Sequence, residues 1–143
     1  MMVATFFAAS YGFGAAQKVE EAPKLTHADA AVMLAKYSGF FDRYVATDAK
    51  LNECVAFLNK TGVYFGLLEV VNGTEFLEKD SAKALGQIDL VLTGKATFSG
   101  GKVILPKGFA SWQEFCRMNQ VEYVAVYRTM CGLLREAYKQ KSE

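Results

Sequence analysis

One histidine and three cysteines carry the side chains best suited to nucleophilic or metal chemistry in this chain of 143 residues: His27, Cys54, Cys116 and Cys131. Their spacing does not assemble a reaction. A Cys–His dyad has to use His27, with Cys54 the nearest thiol along the chain, and nothing in the sequence links the two. No C-x-x-C pair is present, so a zinc ribbon or a thioredoxin-type site has no support. Neither G-x-S-x-G nor H-E-x-x-H occurs. "ATFSGGKV", residues 96–103, approaches a P-loop. Val103, however, stands where the magnesium-holding hydroxyl belongs, and "VILP" reads as strand where a phosphate cradle needs a helix start. The sequence therefore predicts no catalytic residue, no metal site and no cofactor. The cysteines lie among apolar neighbours, as in "NECVAF" and "RTMCGLL", and read as small buried hydrophobes. An odd number of them allows at most one internal disulfide.

The remaining polar constellation is Thr26-His27-Ala28-Asp29, directly before an apolar helical run. Thr26 with Asp29 three residues on matches a capping box, in which the hydroxyl accepts an orphan N–H and the carboxylate reaches back. Read as a site, the same stretch offers Thr26, His27 and Asp29 as candidate binding residues. Read as punctuation, it only starts a helix, and the positive end of that helix disfavours a charged imidazole.

Elements that must position these residues follow from periodicity. Ala30, Met33, Leu34 and Tyr37 recur at helical spacing over about residues 26–37, with Gly39 as the stop. A second helix, "TDAKLNECVAFLNKTG", is capped by Thr47 or Asp48. It buries Leu51, Cys54, Val55 and Leu58 and ends at Gly62. "VYFGLLEVV" reads as either a short strand or a helical turn before the Asn72-Gly73 turn. A third helix, "KDSAKALGQIDLVLTG", places Leu85, Ile88 and Leu92 on one face and Gly94 at its end. "KATF-SGG-KVIL" reads as a small hairpin ended by Pro106. Ser111 and Glu114 form an S-x-x-E box for a short helix to about Met118, and the last helix spans about residues 122–139. Its stripes, Val124-Tyr127-Cys131-Leu134-Tyr138 and Val126-Met130-Leu133-Ala137, cover a wide face. Such a helix packs into the domain or also meets a partner. The expected fold class is mainly α: a single-domain bundle of four to five helices with one small β-hairpin.

Composition bounds the function. The chain is 52% hydrophobic and 22% charged, which predicts a packed core, and its net charge of +1 argues against nucleic acid as a partner. The basic residues near the C-terminus, Arg128, Arg135, Lys139 and Lys141, suit the negative end of a helix. Residues 1–16 carry no charge and small residues at Gly14-Ala15-Ala16, so they read as a secretory signal peptide whose basic segment is missing. Residues 17–24 read as a polar leader and 25–143 as the helical domain. No stable membrane span is expected once the signal is removed. Asn59-Lys60-Thr61 and Asn72-Gly73-Thr74 fit the N-glycosylation pattern and coincide with a helix stop and a turn.

"LTHADAAVMLA" and "FLEKDSAKALG" align without gaps at an offset of 51 residues, pairing Asp29 with Asp80, Ala31 with Ala82 and Leu34 with Leu85. The stretch from Ala49 to Leu85 resembles the surface-layer homology module. "CVAFLNKTGV" stands for its first helix and glycine pair, "NGTEF" for its Gly-rich turn with one extra residue, and "EKDSAKAL" for the opening of its second helix. "LTHAD" resembles the Thr-Arg-Ala-Glu box through Leu25, Thr26, Ala28 and Asp29, with His27 in the place of the arginine; in the second copy Leu77 and Glu78 replace Thr and Arg. The resemblance implies a helical module that binds acidic cell-wall polysaccharide, with the box arginine contributing.

Together these readings predict a non-catalytic protein exported to the periplasm or cell envelope. Its expected role is interaction or scaffolding, with cell-wall polysaccharide or an envelope protein as partner and homo-oligomerisation through the C-terminal helix as a further expectation. The alternatives are a helical carrier of a small apolar ligand and an accessory subunit of an enzyme complex. An exposed apolar patch favours interaction. An apolar pocket of some hundreds of Å³ favours a carrier. Packed residues 1–16 favour the accessory subunit.

Overall fold

A computed structural model describes residues 23–142 of the chain. The proposed signal peptide and nearly all of the polar leader therefore lie outside the described residues. The described part is mainly helical with one two-stranded hairpin. The elements are α1 (His27–Lys36), α2 (Leu51–Thr61), α3 (Leu67–Val71), α4 (Glu78–Leu92), β1 (Phe98–Ser99), β2 (Lys102–Val103), α5 (Trp112–Met118) and α6 (Tyr123–Ser142). The ambiguous run before Asn72 resolves as a loop followed by the one-turn helix α3.

Helix starts follow the carboxylate rule written in the sequence. Thr26 Oγ1 accepts the Asp29 N–H at 3.1 Å, and Asp29 Oδ2 accepts the Thr26 N–H at 3.1 Å. The second copy of the pattern does half of this: Asp80 Oδ2 accepts the Leu77 N–H at 2.8 Å, with no hydroxyl to reciprocate. The aligned pairs share their burial as well, since Ala31, Ala82, Leu34 and Leu85 are all in the core. At α2 the expected cap is displaced. Neither Thr47 nor Asp48 serves; Glu53 Oε1 takes the Lys50 N–H at 2.7 Å and the helix begins at Leu51. That start leaves Leu51 in the exposed first turn, whereas Cys54, Val55 and Leu58 are buried as expected. Leu92, likewise, ends α4 in solvent while Leu85 and Ile88 face inward. At α5 the Ser111 hydroxyl accepts the Glu114 N–H at 3.1 Å, but Glu114 Oε1 reaches past Ser111 to the Ala110 N–H at 2.6 Å.

Four helix ends use one device. After α2, α3, α4 and α5 the N–H of a left-handed residue and the N–H after it bond back to the last turn, the Schellman arrangement. The pairs are Gly62 to Asn59 with Val63 to Leu58, Gly73 to Val70 with Thr74 to Glu69, Gly94 to Val91 with Lys95 to Leu90, and Gln120 to Arg117 with Val121 to Cys116. Three of these left-handed residues are glycine; the fourth is Gln120 at φ 59°. Helix α1 differs: it stops at Lys36 with Tyr37 as its cap, and Gly39 takes its positive φ two residues later.

The hairpin pairs Phe98 with Val103 and Ser99 with Lys102 around Gly100-Gly101, whose φ values of 59° and 80° are those a two-residue type I′ turn requires. The P-loop-like "SGGK" is this turn. Helix α4 is the organising element, packed against α5, α6 and β2, while α1 packs against α2 and α3. Gln87 of α4, 1% exposed, ties three segments: its Oε1 accepts the Tyr64 N–H at 3.1 Å and its Nε2 donates to the Val103 carbonyl at 2.9 Å. Ser81 donates to the Tyr123 carbonyl at 2.9 Å and so fixes where α6 begins. Gly86 lets Trp112 lie on α4; a Cβ there would meet the indole Cε3 at 2.5 Å. The core itself, around Leu34, Leu58, Phe65, Phe76 and Ile88, is continuous across these elements.

Candidate functional site

Backbone geometry places the start of α1 against the turn that follows α3. The Phe76 N–H donates to the Leu25 carbonyl at 2.7 Å, and Thr26 and Glu75 form an antiparallel bridge. His27 donates twice to one acceptor: its backbone N–H and its Nδ1 both lie 2.9 Å from the Thr74 carbonyl. A carbonyl only accepts, so Nδ1 carries the proton. Nε2 then points away from the turn, 3.9 Å from Glu69 Oε2. The ring is 6% exposed and sits edge-on to Phe76 and Phe65, with centroids 5.1 and 6.2 Å away. Those two phenyl rings are stacked on each other at 5.9 Å.

Beside Nε2 lies a small polar pocket of about 40 Å³, bordered also by Tyr64, Glu69, Asp80 and Lys83. One water occupies about 10–15 Å³ on this measure. The pocket thus has room for an ion and water and none for a sugar ring. Lys83 Nζ lies 5.5 Å from the centre of the Tyr64 ring and Lys102 Nζ lies 4.0 Å from it, so the aromatic face is covered by two ammonium groups.

Of the three expected binding residues, the structure brings only His27 to this pocket. Thr26 and Asp29 are bonded to one another in the capping box, which occupies the Thr26 hydroxyl and an Asp29 oxygen. Neither Glu69, which His27 meets, nor Tyr64, which borders the same pocket, was readable as a neighbour of His27. The Asn72-Gly73 turn was legible, but its pairing with residues 25–27 spans almost fifty positions and leaves no local signal.

Two of the three thiols behave as their sequence neighbours implied, while Cys131 is only half-buried. Cys54 and Cys116 are buried, and none of the three forms a disulfide. Burial, followed by the nearby Asp89 carboxylate, pushes the Cys116 thiol up from 9.0 to about 11, and burial raises Cys54 as well. Cys116 donates to the Ala82 carbonyl at 3.2 Å. These are protonated, enclosed thiols, the opposite of what a nucleophile requires. Asn59, the first glycosylation candidate, is committed to the fold: its side chain accepts the Phe65 N–H at 2.6 Å and donates to the Phe65 carbonyl at 3.0 Å. Asn72 stands exposed in its turn.

A second candidate surface is apolar. A groove of about 210 Å³ runs between the end of α1 and α6, lined by Met33, Tyr37, Phe40, Val126, Met130 and Leu133 among others. It continues along the outer face of α1, past Asp29 and Val32, as a shallower trough of about 550 Å³. Tyr37 and Leu133 at its edge are 59% and 49% exposed. No helix among the described residues is long and apolar enough to cross a membrane. In comparisons with known proteins, no family model, no curated protein and no solved structure matches this chain.

Proposed function

We propose that the chain is a non-catalytic interaction protein of the cell envelope, delivered by its N-terminal apolar segment and meeting an envelope protein at the α1–α6 face. The observation that carries this reading is the groove with Tyr37 and Leu133 left open at its edge. Large apolar side chains exposed side by side are a feature of surfaces that meet a partner. A carrier needs a pocket that encloses most of its ligand, and an open groove supports that role less well. Wall polysaccharide bound at the box is also less well supported, because the cavity beside His27 is too small for a sugar.

The test is co-sedimentation with purified cell envelope, with and without its protein component, for the wild type, Leu133→Glu and His27→Ala. The expected outcome is pelleting that requires the protein component and is lost in Leu133→Glu. Pelleting with bare polysaccharide that is lost in His27→Ala moves the reading to wall binding. No pelleting in any arm removes it. Mass spectrometry of the mature N-terminus from the native host tests export separately: a chain beginning after Ala16 is expected, and a retained segment favours the accessory-subunit alternative.

A further inference from the structure

We propose that the chain's own apolar N-terminal segment, residues 1–16, occupies the α1–α6 groove while it remains attached, and so closes it to the envelope protein. This rests on the reading of that face as a docking surface and names what regulates it. Position comes first. The described chain begins at Pro23 and enters α1 at His27. The trough on the outer face of α1 starts beside Asp29 and Val32 and leads to Met33, Tyr37 and Leu133, which it shares with the groove. Residues 1–22 are therefore tethered at the end where the trough begins.

Reach is sufficient. Helix α1 has 10 residues and is about 15 Å long at 1.5 Å per residue. The polar leader, residues 17–24, spans up to about 26 Å when extended at ~3.3 Å per residue. It can carry residue 16 to any point along α1. Chemistry matches as well. Residues 1–16 carry no charge and include Phe6, Phe7, Tyr11 and Phe13. No charged residue lines the groove, and the one that borders the trough, Asp29, is already bonded in its cap. Joining the two surfaces removes apolar area from water on both sides and buries no unpaired charge. Tethering decides the competition. A segment on so short a leader meets its site at an effective concentration on the order of millimolar. A separate partner at micromolar concentration needs about a thousandfold tighter binding to displace it. Cleavage after Ala16 removes the competitor and opens the face.

The test uses the purified full-length chain beginning at Met1, with no envelope present and a benzophenone side chain placed at Phe7. Illumination is expected to give adducts within one chain, mapped by mass spectrometry to Met33, Tyr37, Met130 or Leu133, and to give none there in Leu133→Glu. Methionine-methyl NMR supplies a second readout. Phe6→Asp combined with Phe7→Asp should move the Met33 and Met130 resonances and leave that of Met118, 71% exposed on α5, in place. Adducts on other surfaces, adducts between two copies or no adducts overturn the proposal, as do groove methyls unmoved by the paired change. Since the envelope protein takes no part, such a failure leaves the docking reading standing. Groove adducts without pelleting of the mature chain keep the intramolecular contact and remove that reading instead.

Discussion

His27 shows how one side chain can fill two offices. Its backbone N–H would be an orphan at the helix start, and the Thr74 carbonyl satisfies that N–H and the ring Nδ1 together. The same bond decides which nitrogen faces the pocket. Cys116 makes the corresponding point about reactivity. Its thiol is raised from 9.0 to about 11 by burial first and by Asp89 second, so the folded protein keeps a proton that the unfolded chain releases above pH 9. Stability from this group is complete below pH 9 and is lost as pH rises toward 11. Urea denaturation at pH 8, 9.5 and 11 should show a decline on the order of 2 kcal/mol that is smaller in Cys116→Ala. Cys54, raised in the same direction, adds to the decline in both proteins. Native Cys116 should also resist a thiol reagent at pH 8 that labels it promptly in denaturant.

Among the elements, the Schellman ends and the packing of α4 make the clearest demands. Gln120 holds a left-handed φ of 59° that costs a side-chain-bearing residue about 1 kcal/mol. Gln120→Gly should therefore raise stability by roughly 0.5–1 kcal/mol, measured by chemical denaturation, because glycine adopts this conformation without the steric penalty. Gly86 asks for the reverse. A methyl group there meets Trp112 at 2.5 Å, and the indole is itself wedged edge-on against Phe115 at 5.7 Å. Gly86→Ala should cost about 1–3 kcal/mol by overpacking. Combining it with Trp112→Leu should cost less than the sum of the two single changes, since the double variant removes the clash. No periodicity within α4 marks Gly86 for this contact, because Trp112 lies 26 positions further along the chain.

For the whole molecule, the question is which surface is available once the core is complete. Helix α6 buries Met130 and half-buries Val126 and Tyr127, while Leu133 and Ala137 stand outward, so the stripe Val126-Met130-Leu133-Ala137 runs from the core at Met130 to the edge of the groove at Leu133. Leu133→Glu should change folding stability by no more than about 0.5 kcal/mol, since the side chain is half exposed. It should nevertheless abolish capture by the envelope protein proposed as partner. A variant that unfolds, or one that still binds, would show that this position belongs to the core or lies outside the docking face.

What the sequence alone determined was local. Carboxylates three residues after a helix start, glycines just past an end and the Gly-Gly turn between short strands each act within a few residues. The capping box at Thr26, the stops at Gly62 and Gly94 and the hairpin at Gly100-Gly101 were therefore legible. The cap of α2 was misplaced because Glu53 competes for the same backbone over the same short distance. Only the tertiary structure decided that the Asn72-Gly73 turn meets the start of α1, that Gln87 ties α4 to the hairpin, and that Glu69 faces His27. Those contacts join positions far apart along the chain. They are set by which apolar faces bury together, and no periodicity within one segment encodes them.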